Sequence, residues 1–213
     1  MRLVSVNVSL PKTVPYGDET LTTGIYKEAV SGRVMLRPHN LEGDGQADLK
    51  NHGGSDKAVY CYPHEHYAAW SAELGRDDFV FGQFGENFTV EGLLEDSVCI
   101  GDVYQVGQAR VQVTQPRTPC YKLEHKMQEE GFIKRFQESR RSGFYVSVLD
   151  SGEVGAGDAI QLDQRDPIGL TVREAFDLLL FDKDNAALLA RALSVPALAE
   201  SWREVFSRRL NPA

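Results

Sequence analysis

Cysteine is scarce in this sequence and the fingerprints of the common nucleotide folds are missing. Cys61, Cys99 and Cys120 are the only thiols in 213 residues, an odd count at wide spacing with no C-x-x-C pair. A disulfide framework and a structural zinc site are therefore not expected. Neither G-x-G-x-x-G nor G-x-x-x-x-G-K-[ST] occurs, which argues against a dinucleotide site and a phosphate loop of those types. No run approaches the roughly 18 apolar residues of a membrane span, and Met1 to Val6 alternates like a strand rather than forming a signal-peptide core. The expected location is the cytoplasm. Positive charge is also in deficit: 23 Lys and Arg face 31 Asp and Glu, a net charge of −8. Stable nucleic-acid or membrane binding is not expected on that balance, whereas a small basic pocket for one anionic cofactor is compatible with it.

What is present is the mixture of a globular protein, 42% hydrophobic and 25% charged. Apolar alternation predicts strands over 2–8, 58–61, 98–106, 110–114, 144–149 and 159–162, most of them bounded by glycine-bearing turns. Gly101-Asp102-Val103-Tyr104 and Gly157-Asp158-Ala159-Ile160 open two of these strands in the same way. The expected fold class is mainly β with α: a closed β-barrel interrupted by short helices at 63–74 and 132–138. From Pro167 the period changes. Thr171-Val172-Arg173-Glu174 has the form of a capping box, Asp184 can cap a second helix, and Ser194-Val195-Pro196 can start a third. The chain is thus divided into a barrel domain, 1–165, and a three-helix segment, 166–213.

Three clusters could carry chemistry. In Gln115-Pro116-Arg117-Thr118-Pro119-Cys120-Tyr121-Lys122 two prolines fix two φ angles and make a stiff loop that aims Cys120, with Arg117 and Lys122 near enough to favour the thiolate. The same pattern is compatible with a small buried hydrophobe at a strand end. In Asn51-His52-Gly53-Gly54-Ser55-Asp56-Lys57 the paired glycines leave backbone amides open to an anion, or simply make a hairpin turn. In Phe84-Gly85-Glu86-Asn87, Asn87 offers both a donor and an acceptor, while Glu86 reads as part of a turn entering a strand. Lys27 is a lone cation in a strand-like region. His64 and His66 stand two apart, a spacing that does not put both on one helical face, so metal binding there is not expected.

Taken in order, Asn51-His52-Gly53-Gly54 with Lys57, Phe84-Gly85-Glu86-Asn87, and Gln115-Pro116-Arg117 with Pro119-Cys120 resemble the MOSC domain, named for the C-terminal domain of molybdenum cofactor sulfurases. The helical end resembles the three-helix extension of its YiiM-type branch. The resemblance implies a groove for the molybdenum cofactor (molybdopterin), with Cys120 as the molybdenum ligand. It implies cofactor contacts from Asn51, Gly53, Gly54, Lys57, Asn87, Arg117 and Thr118, and places His52 and Lys27 as proton donors or substrate anchors. The implied activity is reduction of small N-hydroxylated compounds such as hydroxylaminopurine base analogues, a detoxification, with electrons from a separate reductase. Pyridoxal phosphate, which the larger sulfurases carry on another domain, is not expected, and a homodimer is left open. Two other functions use the same residues: a carrier that delivers the cofactor, and a metal-free thiol enzyme with Cys120 as nucleophile and His52 as base.

Overall fold

The computed structural model describes residues 1–48 and 53–211. The N-terminal run forms β1 (Arg2–Val8), the hairpin β2 (Lys12–Tyr16) and β3 (Glu19–Thr23), and the short β4 (Glu28–Ala29) and β5 (Arg33–Leu36). A 3-10 turn (Ser55–Lys57) leads to β6 (Val59–Pro63), α1 (Glu65–Leu74) and β7 (Phe88–Glu91). Then come β8 (Val103–Val106), β9 (Ala109–Pro116), α2 (Tyr121–Met127), α3 (Phe132–Ser139), β10 (Phe144–Asp150), β11 (Gly152–Gly155) and β12 (Ile160–Gln164). Three helices complete the chain: α4 (Val172–Leu180), α5 (Ala186–Leu193) and α6 (Glu200–Leu210).

The closed barrel is not what forms. Among the described residues the main sheet has eight strands in the order β12-β8-β9-β10-β6-β7-β1-β4, with β5 and β11, and β2 and β3, as separate two-stranded sheets. β1 approaches the start of β12 through an isolated bridge, Arg2 to Ala159, and through backbone hydrogen bonds of Met1 and Leu3 to Gly157, Asp158 and Ile160, but not through a named strand ladder. The architecture is mixed α/β. Alternation reports that one face of a strand is buried; it carries no information on the tilt and stagger that closure requires. Within the sheet β6 and β7 are parallel, with α1 in the connection, and the other neighbours run antiparallel.

Local corrections have local causes. Only 103–106 of the predicted 98–106 strand is extended, because Asp102 turns back to accept the Cys99 amide at 2.9 Å. Asp158 accepts the Gly155 amide at 2.9 Å in the same i−3 arrangement. The two similar sequence openings therefore become similar turns, and the strands they lead, β8 and β12, pair with each other. Pro63 ends β6 instead of starting the helix. The capping box at Thr171 and Glu174 forms in full, whereas α5 is capped by Asn185 rather than Asp184 and α6 begins at Glu200 rather than near Pro196.

Two hydrophobic clusters result. The larger joins the apolar sheet face, including Val111, Val113, Phe144 and Val146, to Leu178, Trp202 and Phe206 of the C-terminal helices. The smaller is aromatic and brings together Tyr60, Tyr62, Trp70, Phe84, Phe132 and Phe136. Tyr62 and Phe84 stack there at 4.4 Å. No described helix is long and apolar enough to cross a membrane.

Gly143 sits where these clusters meet. Its φ is +63°, and a Cβ there would lie 2.4 Å from the Cys61 carbonyl oxygen. Gly143→Ala is expected to lower unfolding stability by more than about 1 kcal/mol, since it adds both a disfavoured φ and a backbone clash. Urea denaturation of the two proteins measures it; an unchanged midpoint would contradict the assigned backbone.

Candidate functional site

The site is built from the loops at one end of the sheet. β9 ends at Pro116, and the next residue, Arg117, turns inward. Its guanidinium lies between the Tyr60 ring at 5.1 Å and the Phe136 ring at 5.2 Å, and it is 5% exposed. Stacking of this kind suits the weakly hydrated guanidinium. Its Nη1 is nevertheless buried without a hydrogen-bond partner among the described residues, a state that costs free energy unless something else accepts the hydrogen. Cys120 follows as the N-cap of α2, in extended conformation with φ −130°. Arg117 and Cys120 are close enough to interact electrostatically.

A cleft gathers these residues with others distant in sequence. Lys27, Lys57, Asn87, Arg117, Thr118 and Cys120 all line it. Six residues singled out from the sequence thus converge on one cavity. Gly54 has a φ of +99° and caps the 3-10 turn that delivers Lys57, but neither Gly53 nor Gly54 is among the described residues lining the cleft. Asn51 and His52 lie outside the described residues, so the expected contributions of both have no placement here.

Lys27, the lone cation of its segment, is buried rather than solvated. It is 9% exposed, and its ammonium meets Asp44 Oδ1 at 2.5 Å. Burial holds its pKa below the ordinary lysine range, with the Asp44 charge opposing the shift. Asp44 also accepts the Ser9 amide at 2.8 Å and Asn87 Nδ2 at 2.9 Å. Asn87 in turn accepts the Tyr60 amide at 3.2 Å through its Oδ1. Asn87 therefore holds the floor of the cleft in place as well as facing it. Burial likewise lowers the pKa of Lys57, against the pull of Asp56 and Asp48.

Asp44, Tyr60 and Tyr145 are lining residues that sequence reasoning missed. A carboxylate between two glycines, Gly43-Asp44-Gly45, was the available signal for the first. Glu86 belongs to the turn, as its position suggested. Fully buried, it accepts the amides of Gly82 and Phe84, each at 2.9 Å, and the hydroxyls of Thr89 and Tyr67. His64 packs on the rings of Tyr67 and Phe81, while His66 Nε2 meets Glu95 at 2.8 Å. The two histidines serve different contacts and do not converge.

The MOSC domain family matches residues 48–161, which hold β6 to the start of β12 and the Cys120 loop, and the YiiM-like, 3-alpha helix domain matches residues 170–211. The chain belongs to the MOSC domain family. Its whole length resembles known members of the YiiM type. The uncharacterized protein YflK of Bacillus subtilis (strain 168) is 44% identical over 207 residues, covering 97% of this chain and 93% of that one. The crystal structure of YiiM from Geobacillus stearothermophilus is 38% identical and superposes with a TM-score of 0.85 over 99% of both chains. A more distant protein named reductase, from Gibberella moniliformis (strain M3125 / FGSC 7600), is 29% identical over 214 residues, and the match spans 38% of its length.

Two measurements probe this MOSC site's electrostatics. Asp44→Ala leaves Lys27 buried without its counter-charge and is expected to cost about 3–5 kcal/mol, while the pair Asp44→Leu with Lys27→Met should cost clearly less. A double-mutant cycle in urea decides it; equal losses would mean that the two charges do not compensate one another. Behind the cleft, Lys126 Nζ donates to the Ile25 carbonyl at 2.9 Å, and burial pushes its pKa down to about 8 from 10.5. The unfolded chain therefore holds that proton more tightly, so stability rises with pH from about 8 to about 10.5. Relative to Lys126→Met, the wild type should gain stability between pH 7 and pH 9.5; a constant difference would mean an unshifted lysine.

Proposed function

We propose that this protein is a molybdenum-cofactor-dependent reductase of small N-hydroxylated compounds, supplied with electrons by a separate reductase. One observation carries the reading. In a chain of net charge −8, a single cleft collects Lys27, Lys57, Arg117 and Lys122 around Cys120, against the carboxylates of Asp44 and Asp48. Such an excess of buried and half-buried cations, with Arg117 Nη1 left unsatisfied, fits an anionic ligand bearing phosphate-type oxygens. A thiol beside those cations fits a soft metal. The donor set therefore suits molybdopterin-bound molybdenum. Family membership and the distant relative named reductase point the same way.

When bound, the cofactor supplies two-electron redox chemistry at molybdenum. Cys120 would hold the metal, Arg117, Lys57 and Lys122 would receive negative charge, and Thr118 would add a hydroxyl at the cleft rim. Asn87, fixed by Tyr60 and Asp44, would orient the bound group. The overall conversion breaks the N–O bond: N–OH with two electrons and two protons gives N–H and water. Lys27, which lines the cleft, would serve that demand as a proton donor, and Asp44 keeps it in place. A lysine whose pKa is lowered by burial gives up its proton more readily than a solvated one.

Expression in a cofactor-competent host, followed by molybdenum and pterin quantification and turnover with a hydroxylaminopurine and a chemical reductant, tests this. Wild type should carry both components and turn over; Cys120→Ser should lose turnover. Undiminished turnover in Cys120→Ser would exclude the ligand role. Cofactor without turnover would favour a carrier, and a folded wild type with neither molybdenum nor pterin would favour a metal-free thiol enzyme.

A further inference from the structure

Beyond the inner cleft lies a second chamber, of about 430 Å³, in the size range of small-molecule sites. The two share Asp48, Lys57, Thr118, Cys120, Lys122 and Tyr145. Its far wall comes from the C-terminal helices: Leu179 of α4, and Trp202 and Val205 of α6. The near wall includes Gln115, which is 2% exposed and whose Oε1 is buried with no hydrogen-bond partner among the described residues.

Gln115 reaches this wall because of a register shift. Val111 and Val113 of β9 oppose Val148 and Val146 of β10, but the pairing shifts next, so that Gln115 opposes Tyr145. Directly opposed residues share a face, and consecutive residues on β10 point to opposite faces. Strict alternation would have put Gln115 with Val111 and Val113 in the apolar core. The bulge at Thr114 sends it to the Tyr145 side instead. Thr114 is fixed in turn: its hydroxyl donates to the Asp56 carbonyl at 2.7 Å, and its carbonyl accepts the Ala199 amide at 3.2 Å just before α6. One bulge thus positions both Gln115 and the helix that carries Trp202.

We propose that this outer chamber is the substrate subsite, that Gln115 is its specificity-determining residue, and that it selects planar heteroaromatic compounds presenting an N–H donor. The assignment rests on the reductase reading for what is done to that substrate, but not for its recognition. A buried amide acceptor with no partner favours an occupant that brings a donor, and the terminal torsion of glutamine is soft enough to present it. Leu179, Trp202 and Val205 offer apolar and aromatic surface to a flat ring. The C-terminal helices are therefore the substrate wall of a site whose cofactor side is built by the sheet.

The test is calorimetric titration of cofactor-free protein with 9-methyladenine, whose exocyclic amine is its N–H donor, and with its N6,N6-dimethyl counterpart, which has none. Wild type should prefer the first by about tenfold, the value of one good hydrogen bond. Gln115→Leu should bring that ratio close to one and melt at the same temperature or higher, because it removes an unsatisfied buried acceptor. Leu179→Ala should weaken both probes by a similar factor. An unchanged ratio in Gln115→Leu, a lowered melting temperature with the ratio intact, or no binding of 9-methyladenine to wild type would overturn the assignment. Molybdenum content of the same variants separates the two ideas: loss of discrimination with full molybdenum loading isolates the subsite, and discrimination in a protein that never acquires molybdenum sinks the reductase reading alone.

Discussion

The buried Asp44 carboxylate is the constraint around which the site is organised. It receives a backbone amide from Ser9, the Lys27 ammonium and the Asn87 side chain, and so draws together the end of β1, the residue before β4 and the entry to β7. Carboxylate and ammonium both leave water here, which is unfavourable unless each is fully satisfied. The satisfaction is supplied by neighbours that are themselves fixed: Asn87 also donates to the Asn7 carbonyl at 3.3 Å. Segments that are otherwise irregular coil are thereby tied to the sheet. The floor of the cleft is rigid without belonging to any strand.

Position relative to the two hydrophobic clusters explains why the charges are tolerated. Arg117 packs on Tyr60 and Phe136 of the aromatic cluster, while the strand it follows belongs to the larger one. The cations sit at a seam, where ring faces offset some of the desolvation and where the cavity opens. Glu86, adjacent to Asn87, has a comparable role and closes the turn by accepting backbone amides. The cleft lining and the turn's own closure thus draw on adjacent side chains of a single loop.

Much of this was legible in the sequence. Strands with one buried face and the capping box at Thr171 follow from local rules, and Lys57, Asn87, Arg117 and Cys120 stand out in their loops before those loops are seen to meet. That the sheet does not close into the expected barrel was not legible, because alternation is blind to stagger. Asp44 escaped because a lone acid in a glycine turn looks solvated until its partner Lys27 is known to be buried. The orientation of Gln115 is hidden for a different reason: counting by two from Val111 and Val113 points it into the core, and the register shift shows only when β10 is laid beside β9.

That shift has a consequence for how the protein can vary. β9 runs one residue longer than the stretch of β10 it faces at Thr114, and everything downstream on the strand inherits the offset. Amino-acid replacements at 115 can retune the chamber while leaving the strand intact. Loss of a single residue at the bulge would reverse the facing of Gln115 and detach the Thr114 anchor of α6 together. Descent within this lineage should accordingly be conservative in the length of β9.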